Sequence, residues 1–94
     1  MDWVRLWLDM PNDPKWRAIA RRSGRSMSEV IAVYVHMLCQ ARVADTPGTI
    51  PKWDDEDVAA ALDVDADSVA AVREAMQGKV LDNERLLGWD KRQP

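Results

Sequence analysis

Ninety-four residues, 47% of them hydrophobic, are enough for one small domain with a single core, but not for a deep catalytic cleft in addition. No apolar run approaches the ~20 residues of a membrane span. The opening Met1-Asp2-Trp3-Val4-Arg5 lacks the charged and apolar regions of a secretory leader, and the single Cys39 cannot close an internal disulfide, so a cytoplasmic protein is expected.

The net charge of −3 disfavours nucleic acid for the chain taken whole, yet the charges are segregated. From Pro14 to Ser28 there are Lys15, Arg17, Arg21, Arg22 and Arg25 and no acid. From Lys52 to Gly78 two bases face eight acids, leaving that stretch at −6 and the rest of the chain at +3.

In chain order, residues 3–10 alternate well enough to predict a strand, with Val4, Leu6, Leu8 and Met10 on one face. Pro11-Asn12-Asp13-Pro14 stops it, and Asn12 or Asp13 caps a helix that runs through Trp16, Ile19 and Ala20 to Gly24. Ser26-Met27-Ser28-Glu29 fits a capping box. It opens a long helix expected to bury Met27, Val30, Ile31, Tyr34, Met37, Leu38 and Ala41, with Glu29, His36 and Gln40 as a polar stripe. Because apolar residues cover most of its circumference, this helix is expected at the centre of the core.

Thr46-Pro47-Gly48 reads as a turn and Thr49-Ile50-Pro51 as a minimal edge strand. Two short helices follow, one capped by Asp54 or Asp55 and presenting Val58, Ala61 and Leu62. The other is capped by Asp65, presents Val69, Val72 and Met76, and ends at Gly78. The brief link at Asp63-Val64 makes them a helix-turn-helix. Val80-Leu81, a turn at 82–84 and Arg85 to Trp89 read as a β-hairpin, and 90–94 as the start of a linker. The expected fold is therefore mainly α with a small β-sheet: a winged helix, one domain over 1–94.

Several strings in this order carry a resemblance: Trp3-Val4-Arg5-Leu6, Asn12-Asp13-Pro14-Lys15-Trp16, Gly48-Thr49-Ile50-Pro51, Asp57-Val58-Ala59, Leu62-Asp63-Val64 and Gly88-Trp89-Asp90. Together they resemble the N-terminal winged-helix domain of phage replisome-organiser (replication initiation) proteins, in the style of DnaD-like primosome domains. The resemblance spans nearly the whole chain. It implies a module in a bacterial host cytoplasm that helps assemble replication machinery by contacting DNA, replication proteins or further copies of itself.

A helix-turn-helix normally inserts its second helix into the major groove. Here that helix offers Asp67 and Glu74 to solvent, which the phosphates repel. The expected DNA contacts are instead Lys15, Arg17, Arg21 and Arg22 on the first helix, extended by Arg25 beyond it, and Lys79, Arg85, Lys91 and Arg92 on the hairpin and tail. Such binding is weak, salt-sensitive and poor in sequence information. The alternatives are a protein–protein or self-association module, favoured by the two-sided charge, and a transcriptional regulator domain. Most of the five tryptophans are expected to fill the core of a chain that has no Phe.

No enzyme, metal or cofactor is expected. His36 and Cys39 lack further ligands at zinc spacing, and read as a surface imidazole and a core thiol. The four glycines are isolated, so there is no phosphate loop. Asp63-x-Asp65-x-Asp67 with Glu74 imitates a calcium loop, but Ser68 stands where the turn needs Gly and the stretch has a helical period.

Overall fold

In the computed structural model, which describes residues 3–93, the strand expected over 3–10 is absent. The segment runs unpaired into a 3₁₀ turn at Met10–Asn12. The reason lies at the other end of the chain: both edges of the hairpin are already taken, one bridged by Thr49 and the other by Gln77. With no open ladder to join, the segment docks through side chains. Trp7 stands edge-on to Tyr34, with ring centroids 6.2 Å apart, and also packs on Trp16.

Helix α1 (Lys15–Ser23) has Pro14 at its N-cap rather than the expected Asn12 or Asp13, although Asp13 accepts the Lys15 N–H at 3.0 Å; it ends at Gly24, which takes a left-handed φ of 72°. It buries Trp16 and Ile19. The Trp16 indole donates to the Met10 carbonyl at 2.6 Å, satisfying its buried N–H.

Helix α2 (Met27–Val43) starts on half of the expected capping box. Ser26 accepts the Glu29 N–H at 3.1 Å, but the Glu29 carboxylate turns away to the Arg25 guanidinium, at 2.8 and 2.9 Å. A charged pair is a stronger acceptor–donor match than a backbone N–H. The helix buries Val30, Val33, Tyr34, Met37, Leu38 and Ala41. Met27, expected inside, is 37% exposed, and Ile31 is only half-buried. Cys39, expected in the core, is exposed, while His36 is half-buried. The buried arc through 30, 34 and 38 leaves position 39 on the far side.

Helix α3 (Asp55–Leu62) is capped by Asp54, which accepts the Glu56 N–H at 2.9 Å. Asp63 closes it with φ 58°, turning the chain back into α4 (Ala66–Met76). Asp65 stands at the N-cap of α4 without a side-chain bond. Ala59 is buried beside Val58, whereas Ala61 is exposed. From α4, Val69, Val72, Ala75 and Met76 are buried.

Strands β1 (Leu81–Asp82) and β2 (Arg85–Leu86) form an antiparallel ribbon with Leu81 opposite Leu86. Asn83 supplies the positive φ of the two-residue turn. Gln77 brackets it, accepting the Asn83 N–H at 2.8 Å and donating to its carbonyl at 3.1 Å. The edge segment around Thr49 does pair: the Ile50 N–H donates to Glu84 and the Leu86 N–H to Gly48, both at 2.8 Å.

Trp89, expected on the hairpin, opens a short helix α5 (Trp89–Arg92), and within 90–93, read as the start of a linker, Arg92 and Gln93 contact the N-terminal segment. The fold is thus mainly helical with a small antiparallel sheet. Trp16 and Trp89 are buried and Trp7 and Trp53 pack against the core, while Trp3 is 60% exposed. No helix of the described residues is long and apolar enough to cross a membrane. Met1, Asp2 and Pro94 lie outside the described residues, and with them the ends on which the leader and linker readings bear.

Candidate nucleic-acid interface

Helix α4 is packed on by both α1 and α3. Of its residues only Asp67 and Glu74 are exposed. Its one basic side chain, Arg73, donates twice to Asp55 on α3, at 3.0 and 2.9 Å. That bond holds the Asp55 carboxyl below its ordinary range, against the opposing effect of partial burial, and raises the Arg73 guanidinium. The helix that a helix-turn-helix would insert into DNA is therefore covered on two flanks, and its solvent side carries negative charge.

The nine expected cations divide clearly. Arg25 is held by Glu29, a pairing that raises its pKa and lowers that of the carboxylate. Lys15 lies 4.0 Å from Asp13, and Arg85 lies 3.2 Å from Asp90. Arg92 lays its guanidinium over the Trp7 ring, 4.1 Å from the centroid. Among the described residues, Arg17, Arg21, Arg22, Lys79 and Lys91 make no salt bridge, and all five are exposed. Lys79 and Lys91 share their end of the chain with the exposed acids Asp82, Glu84 and Asp90. Arg17, Arg21 and Arg22 share α1 with no acid at all.

The two sequence patches are thus unequal. The helix patch keeps three free guanidinium groups at helical spacing, and the hairpin patch is electrically mixed. Asp63 and Asp65 serve as helix ends, and no group of three or more His, Cys, Asp or Glu side chains placed to hold a metal ion occurs among the described residues. Compared with known proteins, the chain matches no protein-family model, no curated protein and no solved structure.

Proposed function

We propose that this chain is a winged-helix module that associates weakly and without sequence preference with DNA through α1, as part of a phage-type replication-initiation protein. The observation that carries the reading is the exposed, unpaired trio Arg17, Arg21 and Arg22 on a helix without acids. The element order supports the fold assignment: a long helix, an edge segment bridged to the hairpin, two helices joined by a tight turn, then a ribbon. In that scheme α1 is an addition packed beside the second helix of the helix-turn-helix, so backbone contact shifts from α4 to α1.

Free arginines along one helix suit phosphate oxygens, which position a protein without reading sequence. The test is fluorescence anisotropy with a labelled duplex at low salt, comparing the parent with R21E/R22E. A loss of about tenfold or more, with a shallower salt slope, is expected. Equal affinity in parent and variant removes α1 as the binding surface.

A further inference from the structure

The arginines of α1 do not stand on a flat surface. Beside Arg17 opens a cleft of about 240 Å³, lined by Pro11, Asn12, Asp13, Pro14, Arg17 and Met27. The local sequence builds it. The 3₁₀ turn at Met10–Asn12 buries Met10 and leaves Pro11 and Asn12 exposed, and Pro14 stays exposed at the N-cap of α1. Met27, the first residue of α2, completes the lining and remains 37% exposed.

This lining has an apolar part and a polar part. Pro11, Pro14 and Met27 supply apolar surface, and a thioether packs well against an aromatic ring. Asn12 offers a donor and an acceptor. Asp13 offers acceptor capacity: one oxygen takes the Lys15 N–H at 3.0 Å, and the other stands 4.0 Å from the Lys15 ammonium. Apolar walls with a few polar groups suit a small planar ligand with a polar edge. A phosphate in the same place would meet the Asp13 carboxylate. Phosphates belong on the helix, where Arg17 at the cleft and Arg21 one turn along are exposed and lie about 5–6 Å apart at Cβ.

We propose that α1 takes single-stranded DNA in preference to duplex, with phosphates on Arg17 and Arg21 and one unstacked base in this cleft; the inference rests on the α1 reading above and names its substrate. A single strand presents its bases to apolar surfaces while cations follow its backbone. A duplex base must first be unpaired and unstacked, so duplex gains only the phosphate contacts. Helix α4 agrees with this choice, since the element that would enter a duplex groove turns Asp67 and Glu74 to solvent. One seated base leaves the rest of the strand unread, in keeping with binding that has little sequence preference.

Fluorescence anisotropy at low salt tests this with three labelled probes of equal length: a single strand, the same strand in a duplex, and a strand that keeps every phosphate but carries no bases. The parent is expected to bind the normal single strand about fivefold or more tighter than either of the others. N12A/M27A changes no charge, and is expected to keep the parent circular dichroism and duplex affinity while losing that advantage. R21E/R22E is expected to weaken all three. A parent that binds the normal and base-free strands alike, or duplex at least as tightly as single strand, overturns the base cleft and leaves the α1 contact standing. So does an N12A/M27A variant that keeps the full preference. A parent that binds none of the three probes removes the α1 reading itself.

Discussion

Arg73 on α4 and Asp55 on α3 share two hydrogen bonds, at 3.0 and 2.9 Å, and the Trp53 indole donates to the same carboxylate at 2.7 Å. This triad ties the two short helices together beside the satellite core of Val58, Ala59 and Val69. Asp55 is titratable, and its folded pKa lies below the ordinary value, chiefly through Arg73. A depressed carboxyl contributes stability above its unfolded pKa and loses it as pH falls through the folded one. The chain should therefore lose part of its stability below about pH 4. D55N should cost about 1–2 kcal/mol near neutral pH, discounted for partial exposure, and flatten that acid limb. Urea midpoints from pH 2.5 to 6 for both proteins decide it, and parallel curves would count against the triad.

Gly48 and Gly24 both have positive φ, but only one is crowded. A Cβ on Gly48 would meet the Trp89 ring at 2.8 Å, while Gly24 has nothing within 4 Å. G24A should cost about 1 kcal/mol for the left-handed backbone alone. G48A adds a clash with a buried indole and should cost about 2–4 kcal/mol. Denaturant unfolding of the two variants measures the difference, and equal losses would show that Trp89 yields.

Gln93 clasps the N-terminal segment, accepting the Arg5 N–H and donating to its carbonyl, both at 3.0 Å. Arg92, one residue before, covers Trp7. Q93A should release residues 3–8 locally, with tryptic cleavage at Arg5 several-fold faster and a global loss below about 1.5 kcal/mol. Unchanged cleavage would place the anchor of the segment at Trp7.

The acids on α4 give a further test of the proposed DNA contact through α1. Because Asp67 and Glu74 act on phosphates only at a distance, D67N/E74Q should raise affinity a few-fold, and equally for unrelated duplexes. Anisotropy with several sequences tests this. A gain confined to one sequence would return α4 to the groove.

The four longer helices, α1 to α4, and several of their ends were legible in the chain itself; the short α5 was not. Ser26, Asp54, Gly24 and the turn at Asp63 act over a few residues, so local chemistry settles them. The basic character of α1 and the acids of α4 were equally plain, since charge is a property of composition. Three things waited on tertiary packing. Residues 3–10 alternate like a strand, yet Thr49 and Gln77 had already closed both edges of the ribbon. Which arginines stay free depended on partners that no spacing reveals: Glu29 for Arg25, Asp90 for Arg85 and the Trp7 face for Arg92. Met27 and Cys39 on α2 read as core because periodicity reports that a face is apolar; only the arrangement of the other elements decides whether anything lies against it.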